Sequence, residues 1–154
     1  MANFISLSVK QCLKDQFIQK WHESVYDCNT CLNYRIFKPE FGLEKYLYML
    51  PDKYWVSLVR LRLCNSKLPI EVGRYTHLER HDRFCNLCHT NLIGDEYHLV
   101  LECEALKELR SNYISKFYYG CPNTHKFKCL MASENKKTML NLAKFVKDAC
   151  KFLI

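Results

Sequence analysis

The stretch FCNLCHTNLIGDEYHLVLEC, residues 84–103, decides how this chain is organised. Cys85 and Cys88 stand three positions apart, and His98 and Cys103 follow as Cys85-x2-Cys88-x9-His98-x4-Cys103. Two thiols at that spacing wrap one metal ion in a tight turn. A second pair ~10 residues on closes a tetrahedron of soft and borderline ligands, the set that a structural zinc takes. With all four positions filled by protein, no site is left for an activated water. The expected cofactor is therefore one structural Zn2+ and not a hydrolytic metal. Such a site contributes on the order of 10 kcal/mol to folding, which rivals the whole net stability of a small domain. His89, directly after Cys88, is poorly placed to ligate beside it and is expected to be exposed or to sit behind the ligands.

On the C-terminal side, Asp95 is placed to cap a helix, and residues 96–117 read as one long helix with an irregularity near Cys103. The adjacent acids Asp95 and Glu96 are expected to cap that helix and offset its dipole rather than to act as an acid–base pair. Gly120, Pro122 and Asn123 mark a turn, and Ser133 caps a last helix. There Met139, Leu142, Val146, Ala149 and Leu153 recur at spacings of three and four. This narrow stripe is expected to pack on the body or on another chain.

On the N-terminal side, residues 77–91 form the front of the knuckle, and residues 65–76 (NSKLPIEVGRYT) read as a loop or short hairpin arm. Residues 52–64 form a helix that carries Trp55, Leu58, Val59 and Leu63, with Pro51 at its start. Residues 43–50 form a shorter one, and residues 27–39 are a break. Residues 6–26 carry Val9, Leu13, Phe17, Trp21 and Val25 at every fourth position, an amphipathic helix. The fold class that follows is predominantly α-helical with one embedded Cys3His zinc knuckle, with room for a small α+β element around it. One compact domain, 1–154, is expected. Within it, residues 1–64 are helical, residues 65–119 hold the loop, the knuckle and the following helix, and residues 120–154 hold the C-terminal helices.

Composition agrees. Half of the residues are apolar, while Gly and Pro number four each, which disfavours a turn-rich β-sandwich. No apolar run approaches the length of a membrane span, and the N-terminal residues lack a signal-peptide pattern. The expectation is an intracellular protein, nuclear or cytoplasmic, whose ten cysteines stay reduced. Cys28-x2-Cys31 is a second thiol pair with no closing pair nearby. It and the scattered Cys12, Cys64, Cys121 and Cys129 are expected to be ordinary thiols.

The net charge is +7. Between positions 53 and 83 the bases Lys53, Arg60, Arg62, Lys67, Arg74, Arg80 and Arg83 outnumber Glu71, Glu79 and Asp82, and Tyr54, Trp55, Tyr75 and Phe84 interleave. Arginines pair with phosphates and aromatics stack on unpaired bases, so Arg60, Lys67, Arg74, Arg80 and Arg83 are the candidate nucleic-acid contacts. Arg62, on an apolar helix, is expected to pair internally with Glu71 or Asp95, and Trp55 and Phe84 to be core. No Gly-rich phosphate loop, Gly-x-Ser-x-Gly elbow or His-Glu-x-x-His motif is present, so no enzyme is expected.

Several motifs together resemble the C-terminal zinc-binding region of non-LTR (LINE-type) retrotransposon reverse transcriptases. They are Arg62 with Asn65, the loop Leu68-Pro69-Ile70-Glu71, Gly73-Arg74, the Cys85-x2-Cys88 knuckle, and Gly94-Asp95-Glu96-Tyr97-His98 leading to Cys103. The resemblance extends upstream to Tyr34-Arg35-Ile36-Phe37-Lys38 and Tyr46-Leu47, and downstream to Leu142-Ala143-Lys144-Phe145. It implies an accessory module of an RNA-directed DNA polymerase that holds template RNA or target DNA beside a polymerase chain, without the paired palm aspartates or an endonuclease motif. It equally admits a decayed or domesticated copy. The alternative drawn from the residues themselves is a zinc-stapled protein-interaction scaffold, including self-association through the C-terminal helix.

Overall fold

The structure, a computed structural model, describes residues 2–30 and 32–153. Helix α1 spans Ala2–Tyr26. Its apolar stripe forms as expected, yet most of it stays uncovered: Val9, Leu13 and Phe17 are 53%, 60% and 65% exposed. Only towards its C-terminus do Trp21 and Val25 become half-buried. There Phe41 meets the rings of Phe17 and Trp21 edge-on at 5.8 and 5.7 Å.

Two short helices, α2 (Tyr34–Phe37) and α3 (Tyr46–Met49), lead to α4 (Asp52–Arg62). Helix α2 lies inside the stretch expected to be a break. Pro51 holds the extended N-cap position of α4, where its missing N–H costs nothing. Residues 65–76, expected to be a loop or hairpin arm, contain helix α5 (Pro69–Tyr75). A proline breaks a helix only from the interior. At the first helical position, where Pro69 stands, its fixed φ starts one instead.

The knuckle follows a 3-10 turn at Arg80–Asp82. The helix expected over 96–117 is broken several times. A π turn at His98–Glu102 and a 3-10 turn at Glu104–Leu106 precede α6 (Lys107–Tyr113), and extended Ile114 separates α6 from α7 (Lys116–Tyr119). Helix α8 (Thr124–Met131) occupies residues after the turn that carry no assignment from sequence. Its cap is Asn123, whose side chain accepts from Lys126 N–H. The last helix, α9 (Lys136–Ala149), is capped by Asn135 rather than Ser133, through Thr138 N–H at 3.0 Å.

The core is built on α9. Its stripe of Met139, Leu142, Phe145, Val146 and Ala149 is at most 1% exposed. It packs against α4, α6, α8 and α3 within this chain. At about 25 cal/mol per Å2, each of these side chains other than Ala149 contributes about 1.5–3 kcal/mol by leaving water. Phe127 of α8 joins the core to the metal region. Its ring lies 5.9 Å from Phe37 and 5.3 Å from Tyr97, which immediately precedes His98. Among the described residues no strand forms. The β character is limited to one antiparallel bridge, Phe84 to Ile93.

Arg62 is 1% exposed and anchors this core. It does not pair with Glu71 or Asp95. Its Nη2 meets Glu44 Oε1 at 2.9 Å, its Nη1 donates to Met131 O, and its guanidinium lies 4.4 and 4.8 Å from the Phe37 and Tyr46 rings. The segment between α2 and α3 supplies the carboxylate because helix α4 points Arg62 towards it. Phe84, expected in the core, is 43% exposed on the knuckle bridge, and Trp55 is half-buried, its indole donating to Asp52. No helix among the described residues is long and apolar enough to cross a membrane.

Candidate metal centre

Cys85, Cys88, His98 and Cys103 converge. One ligand atom from each lies within 4.8 Å of all the others, and the group is largely buried. A tetrahedron with metal–sulfur bonds of ~2.3 Å has edges of ~3.8 Å. Here Cys85 Sγ and Cys103 Sγ are 3.9 Å apart, and Cys88 Sγ and His98 Nε2 are 3.2 Å apart. The four residues fit one tetrahedral ion, and they enclose it with protein donors alone.

Local structure explains how each donor arrives. The bridge between Phe84 and Ile93 is closed by Cys85 N–H to Leu92 O at 2.8 Å and Gly94 N–H to Arg83 O at 2.9 Å. Between these two arms the chain reverses with His89 and Asn91 at φ 53° and 54°, left-handed conformations that place Cys85 and Cys88 on one side. His89 itself points outwards and is exposed, as expected. Gly94 lets helix α5 dock on this hairpin: a Cβ there would lie 2.7 Å from Pro69 Cγ.

The second pair depends on the π turn. In an α-helix five residues rotate a side chain by about 500°, so Cys103 would face about 140° away from His98. Instead Cys103 N–H bonds to His98 O at 2.8 Å, the i to i+5 pattern, and the widened turn brings both donors to one side. Asp95 starts this segment, with Oδ1 accepting His98 N–H at 2.9 Å. Arg110, 2% exposed, ends it. Its guanidinium donates to Val100 O at 2.8 Å, to Cys103 O at 2.7 Å and to Leu99 O at 3.4 Å. Leu99 and Val100 lie inside the π turn, and Cys103 follows it, its carbonyl also accepting Leu106 N–H at 3.2 Å.

Electrostatics point the same way. Burial, together with the neighbouring Cys85 and Cys88 sulfurs, pushes the Cys103 thiol up to about 12. For Cys88, burial opposes ionisation, but hydrogen bonds from Thr90, His98 and Cys85 outweigh it and hold the thiol down to about 6. Three sulfurs this close cannot all ionise unless a cation stands among them. A divalent ion would supply that charge and turn the crowding into coordination.

Sequence reasoning missed Glu102 and Arg110. A His-x3-Glu spacing signals the first. Nothing local signals the second, because its role depends on the π turn.

Three of the candidate nucleic-acid residues make contacts within the fold. Arg83 crosses Gly73 and donates to Leu78 O and Ile70 O, so its guanidinium is committed to the fold. Arg80 faces Asp95 at 3.8 Å, and Arg74 donates to Cys64 O at 3.4 Å. Arg60 and Lys67 are exposed and line a cleft with Ser57 and Cys150. Of the second thiol pair, Cys28 is half-buried, and Cys31 lies outside the described residues. Cys12, Cys121 and Cys129 are exposed rather than half-buried, while Cys64 is buried. Set against known proteins, the chain matches no family model, no curated protein and no solved structure.

Proposed function

We propose that this chain is a non-catalytic nucleic-acid-binding module whose fold is fixed by one structural zinc in the Cys3His group. The observation that supports this is a cationic face shared by α4 and α9. The ammonium groups of Lys53, Lys144 and Lys147 lie 4.9, 5.9 and 5.3 Å from the centre of the Tyr54 ring. The cleft holding Arg60 and Lys67 is also lined by Cys150, at the end of α9, and extends this face. Asp148 on the same face is engaged by Lys151 at 2.6 Å and Tyr113 at 2.8 Å. Like charges gathered on a half-buried aromatic repel one another, and a phosphate backbone relieves that repulsion while releasing counterions. The resemblance to reverse-transcriptase C-terminal regions favours the same reading and names template RNA or target DNA as the partner.

The test is fluorescence anisotropy of a labelled oligonucleotide across a salt series. Binding should weaken steeply with salt. Lys144→Ala with Lys147→Ala should reduce the log–log slope by about two, about one per lost phosphate contact. Binding absent at low salt, or indifferent to salt, would sink the proposal. It would favour a protein-interaction scaffold, for which the uncovered apolar stripe Val9, Leu13 and Phe17 of α1 is the supporting observation.

A further inference from the structure

A second group of metal-ligating side chains lies deeper than the knuckle. Cys64 follows α4, Glu71 stands in the first turn of α5, and Glu96 stands two residues before His98. They are 7%, 4% and 3% exposed. One sulfur or carboxylate oxygen from each lies within 4.8 Å of the other two. Three separate segments therefore deliver one soft and two hard donors to a single buried point.

Two carboxyl groups at this depth must either hold protons or meet an opposing charge, because removing an ion from water costs several kcal/mol unless it is compensated. Among the described residues, no Lys, Arg or His nitrogen forms an ion pair with either one. Arg74, the cation that Glu71 senses, donates to the carbonyl of Cys64 instead.

The outer hydrogen bonds hold both acids in place without neutralising them. Ser66 N–H and Oγ reach the two Glu71 oxygens at 2.7 and 3.3 Å, and Asn33 Nδ2 reaches Glu96 Oε2 at 2.6 Å. Glu96 Oε1 is buried with no nitrogen or oxygen donor, and within the group the Cys64 thiol hydrogen-bonds to the Glu96 carboxylate. A cation bound here takes the place of the thiol proton that Cys64 shares with Glu96, and neutral partners behind each carboxylate are the usual support of metal ligands.

We propose that Cys64, Glu71 and Glu96 form a second divalent-cation site, distinct from the Cys3His group, and that it takes zinc. The thiolate decides the metal. Magnesium and calcium prefer all-oxygen sites, whereas zinc accepts sulfur and carboxylate together. A dication among one thiolate and two carboxylates lowers the net local charge from −3 to −1. With three protein ligands, one position remains for a water. Because Glu96 and His98 share one turn, the same short segment would carry a ligand to each ion.

The experiment is zinc titration of the full chain under reducing conditions against a chromophoric chelator, with metal analysis of the protein as purified. Wild type should hold about two zinc ions per chain and Cys88→Ser about one. Glu71→Gln with Glu96→Gln, which keeps shape and removes both buried charges, should also hold about one while retaining wild-type helical content. Cobalt loading adds an independent readout: Cys64→Ser should lose some of the thiolate-to-cobalt charge-transfer band. If the Gln variant does not fold, the second equivalent in wild type and the Cys64→Ser spectrum still decide. Saturation of wild type at one equivalent would overturn the proposal. So would a second equivalent that survives the Gln variant but disappears in Cys28→Ser with Cys31→Ser.

Discussion

His98 Nδ1 stands 3.5 Å from Glu102 Oε2 across the π turn, while Nε2 of the same ring lies 3.2 Å from Cys88 Sγ. The ring is thus held between a carboxylate and a thiol cluster, and its Nδ1 is buried with no other polar partner. A carboxylate behind a ligating imidazole fixes the tautomer, keeps the proton on Nδ1 and makes Nε2 a better donor. Glu102→Gln should weaken metal affinity by about 10- to 100-fold without unfolding the chain at saturating zinc. Competition with a chelator of known affinity measures this. An unchanged affinity would show that the ring is oriented by packing alone.

Removing a ligand should be far more damaging. Cys88→Ser or His98→Ala should release one metal equivalent and expose residues 80–109 to hydrogen exchange, since the hairpin has only the Phe84–Ile93 bridge of its own. Cys28→Ser should be mild by the same measurement. Equal damage from both would contradict the central place of the knuckle.

Arg110 should behave as a member of the metal centre even though it touches no ligand atom of it. Arg110→Met takes the guanidinium away from the Leu99, Val100 and Cys103 carbonyls and should cost about 3 kcal/mol in denaturant unfolding. Arg110→Lys should rescue little, because one ammonium cannot reproduce a planar fork. Full rescue by lysine would mean that charge alone matters there.

Arg83 separates structure from binding. Its guanidinium closes α5 onto the hairpin, so Arg83→Ala should destabilise the chain by about 2–3 kcal/mol. The salt slope of oligonucleotide binding should stay as in wild type, in contrast to the Lys144 and Lys147 variant. A slope lowered by one in a still-folded Arg83→Ala would place phosphate on the knuckle side.

Much of the metal centre is legible in the sequence because ligand chemistry is strict about residue type and spacing. Cys85, Cys88, His98 and Cys103 need no knowledge of the fold to be grouped. The helix stripes of α1, α4 and α9 are legible for a related reason, since one face repeats with the helical period. What escapes is decided by contacts distant in sequence. The partner of Arg62 is Glu44, set by how the segment between α2 and α3 folds back. The helical start at Pro69 depends on Gly94 admitting its ring. The π turn follows from two ligands five positions apart needing the same side, a demand of the metal rather than of helix propensity. The contacts of Arg74, Arg80 and Arg83 within the fold likewise follow from tertiary neighbours that no local pattern encodes.

Helix α9 fills the middle of the core although it comes last in the described chain, and its main neighbour, α4, was made long before it. During synthesis, Leu58 and Leu61 must wait, solvent-exposed, for Phe145 and Val146 to leave the ribosome. The metal hairpin has by then been complete for about forty residues. Binding of a metal ion by the Cys3His group and closure of the core would therefore be separable events in time, with the ion able to arrive first. A ribosome that stalls before residue 136 would leave a metal-loaded but coreless chain, a natural substrate for chaperones.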